Sequence, residues 1–160
     1  HAPNFSKMLS VMFPLHKGAD GWMSEKQFDT FYWPTMKKVM DALIEEGLIC
    51  MLFAEGSYNT RIEKATDFPK GSVVWWFDQS DMVKAKKILG AKFCIQGNVP
   101  SSLIVTGSPK DVKERCRKLI EDCGKGGGYV LGAGCIADNP KLDNLRAMME
   151  AIREYGVYRK

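Results

Sequence analysis

No stretch of this chain stays apolar for the roughly 20 residues that a membrane-spanning helix requires, so no membrane partner is expected. No segment reads as a secretory signal either. Basic residues are scattered instead of clustered, and the net charge is only +4. A nucleic-acid binder would show a basic footprint on one face, so that partner is not expected. The five cysteines, at 50, 94, 116, 123 and 135, are odd in number and form no Cys-x-x-Cys pair. Cys50 and Cys94 lie in apolar runs, while Cys116 and Cys123 share the apolar face of one helical pattern. These four read as buried free thiols, packed as small hydrophobes in a reducing cytoplasm. An initiating Met is also lacking. The chain begins at His1, and the expectation is a processed or cloned piece of something longer.

What is present is ordinary globular composition, 45% apolar and 26% charged over 160 residues. That is one domain's worth of chain, residues 1–160, with enough length for a core. Apolar runs occur at 48–54, 73–77, 92–96 and 129–131, and 9–13 is a weaker candidate. Helical patterns alternate with them. Ser24 and Gln27 have capping-box spacing and open a helix carrying Phe28, Phe31 and Tyr32 on one face. Pro34 should kink it or begin a second helix, whose stripe Met36, Val39, Met40, Leu43 and Ile44 runs to Gly47. A short helical segment is expected at 60–65. Asp78 or Ser80 caps a helix with Met82, Ala85, Ile88 and Leu89 inward. After a turn following Gly97-Asn98, Ser108 and Pro109 start a helix with Val112, Cys116, Leu119, Ile120 and Cys123 inward. Asn139-Pro140 opens the last one, with Leu142, Leu145, Met148, Met149, Ile152 and Tyr155 inward.

Strands apolar throughout are buried on both faces, which implies a parallel sheet and the α/β class. Right-handed crossovers put the helices of an in-order sheet on one side only. A closed (β/α)8 barrel solves the bare-face problem but takes about 250 residues. Either the strand order doubles back, giving a small doubly wound domain, or parallel β/α units form about half of a (β/α)8 TIM-type barrel.

Each run ends in small or polar residues: Glu55-Gly56-Ser57, Asp78-Gln79, Gln96-Gly97-Asn98, and Gly132 to Cys135. In a barrel these ends converge on one mouth, where the active site lies. Glu55 follows seven apolar residues, so its carboxylate must be solvated, paired or metal-bound. Asp78 reads equally as a helix cap, and Asn98 equally as a turn residue. His16 sits in a polar loop, where a solvated role is the plainer reading. Glu55, Asp78, Cys135 and His16 together have the donor types that zinc accepts. The stretch 124–128 is glycine-rich, yet it precedes a strand, whereas a phosphate loop comes after one. It reads as a helix-to-strand turn.

Several blocks together resemble the C-terminal half of the uroporphyrinogen decarboxylase superfamily over about 17–158. They are Phe31-Tyr32-Trp33-Pro34, Asp81-Met82, Gly97-Asn98-Val99-Pro100, Thr106-Gly107-Ser108-Pro109, Gly127-Gly128-Tyr129 and Asp143-Asn144. The resemblance implies a (β/α)8 barrel of which about half lies outside this chain. The superfamily's tetrapyrrole decarboxylases carry a histidine in a Leu-Gly-His-Gly element, and here Leu131-Gly132-Ala133-Gly134 has Ala133 in its place. Its cobamide-dependent methyltransferases hold zinc through a His-x-Cys and a later Cys. Here Phe53 and Glu55 occupy the first pair and Cys135 falls near the last.

The Phe-x-Glu-Gly pattern with Arg61 is more similar to the aryl-ether demethylating branch. That similarity implies methyl transfer from an O-methyl small-molecule substrate to a corrinoid carried by a partner protein. Glu55, Asp78 and Asn98 are the expected catalytic or pocket residues, and Glu55, Cys135 and His16 the expected zinc ligands. A decarboxylase (lyase), and an inactive piece that self-associates as a homo-oligomer, are the alternatives.

Overall fold

The computed structural model describes residues 9–157. Five strands, β1 (Ser10–Pro14), β2 (Ile49–Ala54), β3 (Val73–Phe77), β4 (Cys94–Gln96) and β5 (Tyr129–Val130), form one sheet in the order β1-β2-β3-β4-β5. Every neighbouring pair is parallel. An in-order parallel sheet is the barrel solution and not the doubly wound one. Such a barrel has eight strands; among the described residues there are five, and β1 and β5 do not pair with each other.

The helices arise from local sequence. Ser24 caps α1 (Glu25–Gln27) in a reciprocal box with Gln27. Pro34 lacks an N–H and crowds the carbonyl four residues back, and the turn just before it widens into a π-helical turn, Phe28–Tyr32. Then α2 (Trp33–Glu45) continues, with Pro34 in its first turn. Asp81 caps α3 (Met82–Leu89) by accepting from the Val83 and Lys84 N–H groups. The turn expected after Asn98 contains a helix of its own, α4 (Ser101–Thr106). Ser108 caps α5 (Pro109–Cys123) through the Asp111 N–H, and α6 is Leu142–Tyr155. Residues 124–128 turn the chain from α5 into β5, with Gly126, Gly127 and Gly128 at positive φ. No helix among the described residues is long and apolar enough to cross a membrane.

Because paired residues in a parallel register share a face, the sheet has two distinct sides. Cys50, Leu52, Ala54, Val73, Trp75, Phe77, Ile95 and Tyr129 point to the helices and are buried against Met40, Met82, Leu89, Val112, Cys116 and Leu119. At about 25 cal/mol per Å² of apolar surface, this layer is the main stabilising term.

The opposite side carries two registered rows. One runs Met12, Met51, Val74, Cys94, and the next Pro14, Phe53, Trp76, Gln96, Val130. It is half open, with Met12 and Val130 exposed. Burial on both faces, expected from the apolar runs, is therefore complete on the helix-facing side and partial on this one, where Phe53 is buried but Met12 and Val130 are not, because five strands do not close.

The last helix also corrects an expectation. Its buried residues are Asn144, Ala147 and Ala151, while Leu142 and Met149 face outward. The cause is α4, whose final carbonyls lack partners within so short a helix. Asn144 Nδ2 donates to the carbonyls of Ile104 (2.8 Å) and Gly107 (3.1 Å). That turns Asn144 inward, and the two alanines let α6 lie close on α5.

Candidate active site at the carboxyl ends of the strands

The carboxyl ends of the five strands gather the polar residues. One more backbone bond, from Leu15 N to the Phe53 carbonyl (2.9 Å), prolongs the β1–β2 pairing past Pro14. It delivers His16 to the side of Glu55. Their Nδ1 and Oε2 atoms are in direct contact, with the two side chains 50% and 44% exposed. Glu55, which had to be solvated, paired or metal-bound, is thus paired and solvated. The His16 ring stands edge-on to Phe53 at 5.9 Å, and Phe53 lies against Trp76 at 4.3 Å between ring centroids. Trp76 is fixed by its indole N–H, which donates to the Ala133 carbonyl (2.9 Å). A histidine–carboxylate pair therefore stands at the rim of an aromatic wall, with Gln96 next to Trp76 in the register.

Asp78 lies between two loops. Its Oδ2 accepts the Gly56 N–H (3.0 Å), and a β-carbon on Gly134 would come within 2.8 Å of its Oδ1. It does not cap α3, a task that falls to Asp81. Asn98 is buried, and both ends of its amide are engaged by protein. Nδ2 donates to the Ser80 carbonyl (2.7 Å), and Oδ1 accepts from Arg115 Nη2 (3.0 Å). Ser80 Oγ in turn accepts the Tyr58 N–H (2.9 Å). Asn98 thereby ties the end of β4 to the loops after β2 and β3 and to α5. Cys135 is partly exposed, its sulfur 3.1 Å from Ser101 Oγ.

Of the three expected zinc ligands, Glu55, Cys135 and His16, and the further candidate donor Asp78, the structure brings His16 and Glu55 together. Among the described residues no three of His, Cys, Asp and Glu are grouped closely enough to hold a metal ion. Asp78 Oδ2 accepts the Gly56 N–H and Cys135 stands beside Ser101, and among the described residues the four candidate donors do not make a three-ligand set.

Sequence reasoning missed a second polar cluster beside the pair. Asp20, Ser57, Thr60 and Arg61 connect the loop after β1 to the loop after β2. Burial pushes the Asp20 carboxyl up, yet bonds from Ser57 and Thr60 and the Arg61 charge outweigh it and hold it below the ordinary range. Asp20 stands in the polar stretch after His16, and Thr60 and Arg61 in the short helical pattern, so spacing alone did not link them.

The family model for uroporphyrinogen decarboxylase (URO-D) matches residues 12–155. The chain belongs to the uroporphyrinogen decarboxylase family. A uroporphyrinogen decarboxylase of Dichelobacter nodosus (strain VCS1703A) is 27% identical over 128 residues, covering 79% of this chain and 36% of that protein. One of Pseudoalteromonas translucida (strain TAC 125) is 26% identical over 147 residues, covering 86% and 40%. Among solved structures, a methyltransferase from Methanosarcina mazei superposes with a TM-score of 0.72 at 19% identity, over 94% of this chain and 42% of that one. The chain thus spans about two-fifths of the length of the relatives it matches. The shared fold makes the open sheet a partial URO-D barrel, with the His16–Glu55 pair at the end where (β/α)8 barrels keep their chemistry.

Proposed function

We propose that this chain forms the C-terminal part of a URO-D family methyltransferase that moves a methyl group from an O-methyl small molecule to a corrinoid on a partner protein. The observation that carries the reading is the His16–Glu55 pair beside the Phe53–Trp76 wall. With Nδ1 turned to the carboxylate, His16 is left with Nε2 as the atom that gives or takes a proton, and Glu55 fixes the orientation of the ring.

An alkoxide or phenoxide is a poor leaving group, so protonating the oxygen as its bond to carbon breaks is what this pair can contribute. The proton on Nε2 goes to the departing oxygen, the carbon–oxygen bond breaks, and the methyl group passes to the partner's corrinoid. The nucleophilic cobalt of that corrinoid is the chemistry the partner supplies. Phe53 and Trp76 give the substrate an apolar face and keep water from the reacting carbon. The four candidate zinc donors do not form a three-ligand set, and the proton transfer is carried by the chain's own acid–base pair.

The curated relatives are named as decarboxylases, which makes tetrapyrrole decarboxylation the second reading. Against it stands Ala133, where the resemblance places the decarboxylases' histidine, and whose carbonyl here holds Trp76.

The test uses the full-length protein. Methyl transfer from methyl ethers to cob(I)alamin, and decarboxylation of uroporphyrinogen, are assayed in parallel with bound metal. His16→Ala and Glu55→Gln are expected to lower methyl transfer by about a hundredfold or more. Turnover of uroporphyrinogen, or full methyl transfer by either variant, overturns the reading.

A further inference from the structure

We propose that Asp20 is a positioning residue that holds the His16-bearing loop against the Glu55-bearing loop, and that the acid–base pair is productive only while this latch is closed. The inference rests on the reading of His16 and Glu55 given above. Asp20 is four residues beyond His16, and all its side-chain partners lie within six residues of Glu55. Ser57 Oγ donates to its Oδ2 (2.7 Å) and Thr60 Oγ1 to its Oδ1 (2.7 Å). The Thr60 N–H reaches Oδ2 at 3.4 Å, and Arg61 Nε lies 3.5 Å from Oδ1. The backbone adds a bond from Asp20 N to the Ser57 carbonyl (2.7 Å).

Arg61 is itself immobilised. It is 3% exposed, with Nη2 donating to the Met23 carbonyl (2.8 Å) and the guanidinium lying over the Phe28 ring at 4.2 Å. Its Nε and Nη1 make no hydrogen bond. The Asp20 carboxylate is therefore the nearest compensation for a buried cation, and a neutral residue at 20 strands that charge.

The loop between the two strands' ends has no slack. It is fixed at Leu15 by the bond to Phe53, and the Tyr58 hydroxyl donates to the Leu15 carbonyl. At Gly18, a β-carbon would fall 2.2 Å from Tyr58 Oη and 2.8 Å from Tyr32 Cε1. Asp20 is the third fastening, and it is a charged one. His16 sits between the first two, in the 3-10 turn His16–Gly18. Gly18 is fitted against Tyr58 by close packing, so releasing the Asp20 side chain leaves the far side of that turn a backbone bond to Ser57 but no charged fastening. The imidazole can then shift against Glu55, where a misplacement of about 1 Å can cost about a hundredfold in rate.

A double-mutant cycle in the full-length protein tests this, with kcat and KM for methyl transfer to cob(I)alamin as one readout. The other is the His16 imidazole signal in nitrogen-15 NMR. Asp20→Asn is expected to lower kcat about tenfold to a hundredfold with KM within about twofold, and to move the His16 signal. In a Glu55→Ala background, where there is no pair left to align, the same change should cost less than about threefold.

Equal losses in both backgrounds, or a change confined to KM, overturn the latch while leaving the acid–base reading intact. If Glu55→Gln alone is fully active, the acid–base reading fails, and the latch with it. Should Asp20→Asn not fold, Thr60→Val and Ser57→Ala each remove one fastening and run the same cycle, with a smaller loss of about threefold to tenfold expected.

Discussion

Replacing Asn98 by alanine asks whether a polar residue at a strand end acts on substrate or on the protein. The side chain is 4% exposed. Alanine leaves the Ser80 carbonyl without the donor it has at 2.7 Å, and an orphaned buried acceptor costs about 1–3 kcal/mol. It also removes the bond from Arg115 at 3.0 Å, which, being to a charged group, contributes about 1.5–3 kcal/mol. The two together come to about 2.5–6 kcal/mol, a large share of the roughly 5–15 kcal/mol that holds a domain folded.

Urea unfolding followed by tryptophan fluorescence should show this as a lower midpoint at unchanged slope. With a slope of about 1–3 kcal/mol per molar, a loss of about 3 kcal/mol moves the midpoint by about 1–3 M. A cycle with Arg115→Ala should be less than additive, since both changes delete one shared bond. Below the unfolding transition, kcat should stay near the parent value. An Asn98→Ala protein within about 0.5 kcal/mol of the parent yet inactive would refute this reasoning and place the amide on the substrate.

Burial pushes the thiols of Cys116 and Cys123 up to about 11, so at pH 8 only about a thousandth of each is thiolate; alkylation mapped by mass spectrometry should label both only after denaturation, and rapid native labelling of either contradicts their burial. Asp20, held below its ordinary 3.8, adds stability that is present above that value and is lost as pH falls through its lower folded pKa; the deficit of Asp20→Asn in urea should shrink on acidification through that window, and a deficit constant with pH argues against an ionised latch. The 160-residue chain by itself should self-associate, because among the described residues β1 and β5 do not close on each other and the half-open face bearing Met12 and Val130 invites a partner; a strictly monomeric mass by sedimentation counts against that.

The strands were legible because burying a parallel strand demands an unbroken apolar run, and each run ended where the structure ends it, within two residues. Helix starts were legible where a cap makes the start, as at Ser24 and Ser108. Two features were not. Residues 101–106 carry too short a pattern for a 3.6-residue period to declare itself, so α4 read as a turn. The facing of α6 was misjudged because periodicity locates an apolar stripe without saying what covers it. Leu142, Leu145 and Met149 make the stronger stripe, but the carbonyls at the end of α4 needed a donor, and Asn144 supplied it. A local hydrogen-bond demand thus outweighed the hydrophobic pattern, and Leu142 and Met149 were left outward.

The same logic sorts the strand-end residues that looked alike in sequence. Glu55, Asp78 and Asn98 each come after an apolar run; Asp78 and Asn98 had a bland reading as good as the chemical one, while Glu55 had to be solvated, paired or metal-bound. What separates them is where their partners come from. Asn98 binds the Ser80 carbonyl and Arg115 and Asp78 the Gly56 N–H, so both set the height and spacing of the strand ends, and the buried Asn98 amide is engaged at both of its ends. Glu55 meets a side chain, His16, that is itself about half exposed, so the pair stays accessible at the rim. His16 lies 39 positions from Glu55 in the chain, and only the parallel β1–β2 register, extended by Leu15, brings the two together. Chemistry at this end of the sheet therefore depends less on which strand ends are polar than on which of them the loops leave unsatisfied.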